Sequence, residues 1–458
     1  MSKLILNLGA ALSVLVLASV TGCSRSRADA SADAALGGDE TRSAVKLVRD
    51  GRNTFRNDTF GDQAFWGGTL RLHEAIAGAA NGGVGPGVSP ATALAVGLKV
   101  DVDALPQTVR KAIAAGQVDL NDPKTTLALL SLDSVVGVKG FFDPNGKLTS
   151  MGITCALCHS VVDDSFAPGI GHRLDGWANR DLNVGAIVSL APNLQPVADL
   201  LSLAGPTVDV PTLKAVLGMW GPGKFDAGVF LDGKALRPDG KVAATLIPPA
   251  YGLAGVNLHT WTGWGSVTHW NAFVANLEMH GQGTFVDARL NNPTQFPIAA
   301  KAGFFDVRPP PGEPDLITSK LPALQVYQLT LEPPKAPEGS FVEDAARRGQ
   351  ALFAGKAKCA TCHVPPIFTE PGWNMHTAKE MGIDSFQADR APDHAYRTSP
   401  LKGLFAHQRG GFYHDGRFAT LADVVSFYNS PRVDGLGGFD LGLTDQEKAD
   451  LVEYLKSL

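Results

Sequence analysis

The order of apolar and polar residues predicts a chain built mainly of helices, most clearly near its C-terminus. Thr444 and Glu447 have the spacing of a capping box, which marks the start of a helix. Behind it an apolar stripe runs along one helical face through Leu451, Val452, Leu455 and Leu458. Similar spacing predicts helices over residues 64–79, 105–115, 343–354 and 420–429.

The N-terminus has the pattern of an export signal. Lys3 precedes a largely apolar stretch from Leu4 to Val20, and small residues lead from there to Cys23. This resembles the bacterial lipobox, whose cysteine is lipidated and becomes the first residue of the mature protein. We therefore expect a signal peptide over 1–22, a flexible tether over 23–45 and a lipid anchor at Cys23. An uncleaved anchoring helix is the alternative.

The cysteines carry the most specific signal in the sequence. The chain has five, and Cys23 is accounted for by the lipobox. The other four form two Cys-x-x-Cys-His motifs: Cys155, Cys158 and His159, then Cys359, Cys362 and His363. This spacing is the c-type haem attachment signature. Two thiols one helical turn apart react with the two vinyl groups of a haem, and the adjacent histidine ligates the iron.

Two other readings of these cysteines remain open, and both are weaker. A four-cysteine zinc site does not need a histidine after each pair. A thioredoxin-like dithiol pair is compatible with an exported protein, but it also leaves the histidines unexplained. The sequence therefore predicts two covalently bound c-type haems.

The positions of the motifs suggest the domain organisation. We expect a mainly α fold with two cytochrome c-like haem domains, long irregular loops and insertions. An N-terminal haem domain with insertions is predicted over 46–305, and a C-terminal cytochrome c domain over 341–458. A proline-rich stretch over 306–340 is predicted to link them.

Composition adds little to this picture. With 44% hydrophobic and 19% charged residues the chain is ordinary for a globular protein. Its formal net charge of −5 and the lack of a basic cluster give no reason to predict nucleic-acid binding.

The segment after the second motif resembles the bacterial di-haem cytochrome c peroxidase superfamily. Tyr396–Leu404, Gly411–Arg417 and Thr420–Leu421 match the family run "TPxLRN…PYFHDGR…TL". The superfamily also includes the di-haem enzyme that matures tryptophan tryptophylquinone, and the rubber oxygenases. The resemblance is strong over 343–458, patchy over 140–300 and absent before 140.

The resemblance implies roles for several residues. Trp270–His280 is similar to the family segment "FWDGRxxxLExQ", whose tryptophan lies between the two haems. Trp270 would then be an electron relay. His280 replaces the glutamine of the distal pocket, so it is a candidate acid–base group or sixth ligand at the first haem. Arg417, within the HDGR motif, is a candidate partner of a haem propionate. By analogy a calcium ion between the domains is possible.

Tyr428 is a candidate sixth ligand of the second haem. Leu421, Val424, Val425 and Tyr428 recur at helical spacing, which places Tyr428 on the buried face of the predicted helix. The peroxidases have a methionine near this position, whereas the tryptophylquinone-maturing branch has a tyrosine. An alternative is that Tyr428 packs beside the porphyrin without ligating it. The competing ligands are His376, His394, His407, His414 and Met375.

Three classes of function follow. The first is an exported redox enzyme that reduces peroxide, or uses peroxide or oxygen, at one haem with electrons passed through the other. The second is a pure electron-transfer cytochrome, and the third is an oxygenase or cofactor-maturing enzyme. The expected partners are peroxide or oxygen, and a small redox protein or quinone-linked electron donor. The expected location is the periplasm or cell surface, where a lipid attached to Cys23 anchors the protein in the outer membrane.

The haem prediction can be tested by mass. The mature protein should carry two haems that resist acid–acetone extraction, because thioether bonds hold them. Replacing both Cys359 and Cys362 with alanine should remove one haem and leave the other. Retention of both haems after this change would contradict the assignment.

Overall fold

Helices make up most of the regular structure in residues 27–407 and 409–458, which this computed structural model describes. The α-helices are Arg27–Asn57, Leu72–Ala77, Pro90–Ala95, Gln107–Ala114, Pro123–Ser131, Ala156–His159, Val184–Val188, Gln195–Ser202, Val210–Gly218, Val229–Asp232, Val267–Phe273, Pro297–Ala302, Leu321–Leu329, Glu343–Ala354, Ala378–Met381, Phe386–Asp389, Leu421–Asn429 and Asp445–Ser457. The prediction of a mainly α fold is confirmed.

The other elements are short. The π-helical turns are Ala64–Thr69 and Val274–Glu278, and the 3₁₀ turns are Ala79–Asn81, Val102–Ala104, Ala288–Leu290, Thr318–Lys320, Cys359–Thr361 and Leu404–His407. The strands pair two by two in the described residues: Val100–Asp101 with Ile170–Gly171 in parallel, and in antiparallel fashion Val138–Phe142 with Leu148–Ile153, Ser160–Val162 with Arg173–Asp175, Lys224–Phe225 with Thr245–Leu246, and Phe285–Val286 with Asp306–Val307.

Capping decides where the two last helices begin. The Thr444 side chain accepts a hydrogen bond from the backbone N–H of Glu447, and the Glu447 carboxylate accepts one from the N–H of Thr444. Thr420 and Asp423 form the same reciprocal pair. Each box satisfies two backbone donors that a helix start leaves free. Both predicted helix starts are confirmed.

A close helix crossing anchors the C-terminal half. Helix Glu343–Ala354 packs against helix Asp445–Ser457, and Gly349 sits at their contact. A Cβ added to Gly349 would lie 2.0 Å from the Asp450 carbonyl oxygen. One turn further on, the ring of Phe353 meets that of Tyr454 at 5.3 Å and 69°. Glycine is required here because the two backbones touch.

The N-terminal half repeats this arrangement. Helix Arg27–Asn57 packs against helix Leu321–Leu329, and a Cβ on Gly51 would lie 1.9 Å from the Ala323 carbonyl oxygen. Four residues after Gly51, Phe55 meets Tyr327 at 5.6 Å and 63°. Each half therefore joins its first and last helices through a glycine, with a Phe–Tyr contact one turn away.

The segments predicted as a linker and as a flexible tether both contain helix in the structure. Residues 306–340 contain the helix Leu321–Leu329, which completes the N-terminal half instead of only connecting two domains. The first described helix begins at Arg27, inside the predicted tether, where alanines with high helix propensity are frequent. Cys23 and the predicted signal peptide over 1–22 lie outside the described residues.

The predicted helix over 64–79 is interrupted. A π-helical turn, Ala64–Thr69, is followed by Arg71 in the left-handed region at φ +59°, and an α-helix then runs from Leu72 to Ala77. The predicted helix over 105–115 is confirmed as Gln107–Ala114.

Buried ion pairs join the two halves. The Arg390 guanidinium bonds the carboxylates of Asp226 at 2.9 Å and Asp232 at 2.7 Å, and all three side chains are at most 2% exposed. Removing one partner of such a buried set leaves a charge without compensation, which typically costs about 3–5 kcal/mol.

None of the described helices has both the length and the apolar character that a membrane span requires.

The Gly349 crossing can be tested through stability. Gly349→Ala should lower the free energy of unfolding by about 1–3 kcal/mol, because the added methyl group must push two helices apart. Denaturant unfolding monitored by circular dichroism measures this change.

Gly218 is the matched control. It ends the helix Val210–Gly218, and a Cβ there meets nothing within 4 Å. Gly218→Ala should raise the free energy of unfolding by up to about 1 kcal/mol, the usual gain in helix propensity. Equal effects of the two substitutions would contradict the close crossing.

Candidate functional site

The first Cys-x-x-Cys-His motif is fixed in place by its backbone. Cys155 precedes a single helical turn, Ala156–His159. The carbonyl oxygens of Cys158 and His159 accept hydrogen bonds from the N–H groups of Asn179 and Gly176, each at 2.8 Å. The motif is therefore held by the strand Arg173–Asp175 and the loop that follows it.

The second motif has a similar compact form. Cys359–Thr361 is a 3₁₀ turn, and the N–H of His363 donates to the Cys359 carbonyl at 2.9 Å. The imidazole Nδ1 of His363 lies 3.2 Å from the Phe368 carbonyl oxygen. A hydrogen bond from Nδ1–H leaves Nε2 with its lone pair, which is the tautomer that a metal-binding histidine needs.

Burial keeps both motif histidines neutral. It lowers the pKa of His363 to about 4 and that of His159 to about 4. The Pro248 carbonyl faces the His159 ring and weakly opposes this shift, although His159 Nδ1 has no partner in hydrogen-bonding geometry. Neutral imidazoles can bind iron without first losing a proton.

Both motifs open into one cavity of about 1500 Å³. Ordinary small-molecule sites enclose about 300–1,000 Å³. The lining includes the four motif cysteines and both motif histidines. The two halves of the chain thus contribute to a single interior space instead of two separate pockets.

The cavity residues fit a pair of c-type haems. Its walls are largely apolar, as the porphyrin faces require. Arg180, which is buried, and Arg397, which is half-buried, line it, and neither forms an ion pair with a carboxylate in the described chain. Burial lowers the pKa of each to about 10, so both remain charged at neutral pH. Propionates would provide the missing anionic partners.

Trp270 and His280, both singled out from the sequence, line this cavity. The rings of Trp270 and Trp264 are 5.1 Å apart, and the indole N–H of Trp270 is buried without a partner. His280 stacks on Phe65 at 3.7 Å and 23° and has φ +60°. A non-glycine residue in the left-handed region is strained, and such strain is frequent at functional sites.

Two π-helical turns shape this part of the cavity. Phe65 and Trp66 belong to Ala64–Thr69, while the other turn, Val274–Glu278, leads directly to His280. The Trp66 indole N–H donates to the Met279 carbonyl at 2.9 Å and joins the two segments. π-helical turns are rare and are often found at functional sites.

Tyr428 lies near the second motif. It lines the cavity, and its ring stacks on Phe439 at 5.7 Å and 9°. Burial raises the pKa of its hydroxyl, with smaller effects from Cys359 and Cys362, and the nearby hydroxyl of Tyr413 opposes the shift. This position is compatible with ligation of the second haem, which stays a prediction.

Arg417 forms ion pairs. Its guanidinium bonds Asp415 at 2.8 Å and Asp384 at 2.6 Å, and Arg237 from the N-terminal half bonds the same two carboxylates. Its contact with a haem propionate stays a prediction.

The sequence reasoning did not single out Glu278, Arg180 or Arg397. Glu278 lines the cavity, and burial raises its pKa to about 8. Burial also raises the pKa of the Cys158 thiol to about 12, with a contribution from Glu278, so the carboxyl lies close to the first motif. The position of Glu278, two residues before His280, is the sequence feature that could have identified it. The two arginines have polar neighbours, Asn179 and Asp181 around Arg180 and Thr398 after Arg397, and no local pattern marked them.

Curated proteins similar to this chain include two cytochrome-c peroxidases and a methylamine utilization protein. IdrP1 of Denitromonas iodatirespirans is 29% identical over 149 residues, 25% of this chain and 40% of that protein. MauG of Methylorubrum extorquens is 29% identical over 153 residues, 30% and 42% of the two chains. IdrP2 of Pseudomonas sp. strain SCT is 25% identical over 176 residues, 30% and 47% of the chains.

The predicted resemblance to the di-haem cytochrome c peroxidase superfamily is confirmed. The chain spans less than half the length of the curated relatives it matches. No family model matches it. Among solved structures, Kuenenia stuttgartiensis hydrazine synthase aligns with 49% of this chain and 76% of its own, at 19% identity and a TM-score of 0.29. That score is too low to support a conclusion about fold.

In this relative of the di-haem peroxidases, ligation by Tyr428 can be tested by removing its hydroxyl. Tyr428→Phe should produce a high-spin signal at the second haem and raise its reduction potential, because an anionic phenolate favours ferric iron. Visible spectroscopy, electron paramagnetic resonance (EPR) and redox titration measure this.

Tyr413→Phe is the control for that experiment. It removes only the hydroxyl that faces Tyr428, so it should shift the potential without creating a high-spin haem. Unchanged spectra and potentials in Tyr428→Phe would show that the tyrosine only packs beside the porphyrin.

Proposed function

We propose that this protein is an exported di-haem c-type cytochrome that reduces peroxide at its first haem with electrons passed through its second. The observation that carries the proposal is the single cavity into which both haem motifs open, with Trp270 and Glu278 on its wall. The similarity to cytochrome-c peroxidases supports it. A bound haem with an exchangeable sixth position supplies the iron chemistry that cleaves peroxide.

The residues of the chain hold the haems and handle protons. His159 and His363 are the proximal ligands, and the four motif cysteines form the thioether bonds. Glu278 is protonated at neutral pH and can donate a proton as the O–O bond breaks. His280 is neutral, since burial lowers its pKa to about 4, so it can accept a proton or ligate iron. Trp270 is the proposed relay between the haems.

The finer assignments belong to the same proposal. The electron donor is a small redox protein or a quinone-linked donor, and the location is the periplasm or cell surface with a lipid anchor at Cys23. A calcium ion between the halves rests on family analogy alone. Each half is proposed to be a cytochrome c-like haem domain, which the repeated glycine crossing supports.

A cofactor-maturing or oxygenase activity is the second candidate. The position of Tyr428 favours it, because a phenolate ligand would favour oxidised iron over a high-potential entry haem. A pure electron-transfer cytochrome would instead have both irons fully ligated.

Visible spectra with and without peroxide separate these functions. The proposal expects a high-spin ferric haem that is consumed by peroxide, with turnover when a reductant is present. Two low-spin haems that ignore peroxide and oxygen would support the electron-transfer cytochrome. Stable binding of oxygen at one haem would support the oxygenase.

Glu278→Gln tests the proton-donor role in the same assay. The variant should reduce peroxide roughly 10²-fold more slowly, the lower range of general acid catalysis. Because burial raises the folded-state pKa of Glu278, the acid form is present below about pH 8 and is lost as the pH rises through that value. The wild-type rate should fall across this range, and the variant rate should not.

Glu332→Gln provides the control. Glu332 also lines the cavity but is exposed to solvent. Its substitution should leave the rate and the pH profile unchanged. An equal loss in both variants, or an unchanged rate in Glu278→Gln, would exclude Glu278 as the acid.

A further inference from the structure

Aromatic rings of the two halves meet where Trp177 and Tyr251 of the N-terminal half approach His407 of the C-terminal half. Trp177 follows the strand that holds the first motif, and its ring lies 6.5 Å from that of Tyr251. Tyr251 stacks on His407 of the C-terminal half at 6.0 Å and 25°. Tyr251 and His407 both line the haem cavity.

The backbone ties this connection to the first motif. The N–H of Gly176 donates to the His159 carbonyl at 2.8 Å, and the N–H of Ala250 donates to the Gly176 carbonyl at 2.7 Å. Gly176 and Ala250 are thus linked to His159 by two successive backbone hydrogen bonds. Trp177 directly follows Gly176 in the sequence, and Tyr251 directly follows Ala250. On the other side, His407 ends the 3₁₀ turn Leu404–His407, which packs against the C-terminal helix.

The phenol of Tyr251 has a base within hydrogen-bonding distance. Its hydroxyl oxygen lies 2.8 Å from Nε2 of His407, which accepts the hydroxyl proton when His407 is the Nδ1–H tautomer. The Gly403 carbonyl oxygen, at 3.1 Å, is the other acceptor within reach of that proton. Tyr251 is 3% exposed. Burial, together with Arg180, lowers the pKa of His407 to about 3, and burial raises the pKa of the Tyr251 hydroxyl above its usual value. The resting pair is therefore a neutral phenol beside a neutral imidazole.

We propose that Tyr251 is a redox-active tyrosine that gives one electron to an oxidised haem of this cavity while its hydroxyl proton moves to His407. The proposal rests on the proposed function, because peroxide supplies the oxidant. Peroxide takes two electrons, whereas a cytochrome-type donor returns them one at a time. A tyrosine beside the haems can hold one oxidising equivalent between the two deliveries.

The step balances in protons and electrons. The haem gains one electron and Tyr251 loses one. The O–H bond of the phenol breaks, and an N–H bond forms at Nε2 of His407, which leaves a neutral phenoxyl radical beside an imidazolium. Reduction by an electron from the donor reverses both transfers. An oxidised phenol is a strong acid, so it needs a base in contact, and the Gly403 carbonyl cannot hold the proton.

Another cavity tyrosine lacks this feature. Tyr396 is as buried as Tyr251 and also stacks on a histidine, His414, at 5.1 Å and 24°. Its hydroxyl, however, donates to the backbone carbonyl of Asp384 at 3.2 Å. Stacking on imidazole is therefore shared by both tyrosines, but the hydrogen bond to imidazole is found at Tyr251.

The experiment uses the holoprotein with both haems and four forms of the chain: wild type, Tyr251→Phe, His407→Gln and the control Tyr396→Phe. Each is oxidised in two ways, with hydrogen peroxide and with a photo-generated ruthenium tris(bipyridine) oxidant that needs no peroxide chemistry. Freeze-quench EPR, with ring-deuterated tyrosine to identify the radical, measures the yield. Haem content and circular dichroism show that each variant is folded.

The expected result is a tyrosyl radical in the wild type and in Tyr396→Phe, and its loss in Tyr251→Phe. His407→Gln should also lose the radical, because glutamine accepts a hydrogen bond but does not retain a proton. If Tyr251→Phe does not fold, the His407→Gln result decides alone. A radical that persists in the folded Tyr251→Phe or His407→Gln variant would overturn the inference.

The two oxidants separate this inference from the proposed function. If peroxide leaves the haem spectra unchanged but the photo-oxidant yields the Tyr251 radical, the proposed function fails and the redox-active pair stands. If peroxide oxidises a haem and neither oxidant yields a tyrosyl radical in the wild type, the inference fails and the proposed function stands.

Discussion

The contact of two helices at a glycine is the constraint on which each half of this protein depends. Gly51 and Gly349 allow a backbone carbonyl of the facing helix to approach closer than any side chain permits. This brings the first and last helices of each half together, although they are far apart in the sequence. The haem motif of each half lies between those helices in the chain. In each half the crossing therefore fixes the two helices that precede and follow the Cys-x-x-Cys-His motif.

Charge then fixes one half against the other. Arg390 with Asp226 and Asp232, and the square of Arg237, Arg417, Asp384 and Asp415, are each contributed by both halves. Ion pairs of this kind add little net stability compared with apolar packing, but they penalise every arrangement that separates them. They therefore select one relative orientation of the halves. In that orientation both Cys-x-x-Cys-His motifs open into the same cavity.

The cavity combines rigid and strained parts in a way that suits redox chemistry. Apolar walls and neutral histidines favour haem binding, whereas Glu278, Arg180 and Arg397 place polar groups where burial perturbs their pKa values. The two π-helical turns and the positive φ of His280 occur on the same wall. Such features are costly in an ordinary core and are retained where chemistry requires them.

Local information was enough to recognise the two Cys-x-x-Cys-His motifs and to predict the capped helices and the mainly helical fold. Spacing within a few residues determines these features, as with Cys359 to His363 or Thr444 to Glu447. Family resemblance added Trp270, His280 and Tyr428, which all reach the cavity. Only the tertiary structure decided what depends on distant contacts: that Leu321–Leu329 completes the N-terminal half, that Glu278 is buried beside the first motif, and that Tyr251 meets His407. In each case the segments in contact lie far apart in the sequence. Neither the period of the hydrophobic residues nor the spacing of a motif determines which distant partner a segment or a buried polar group will contact.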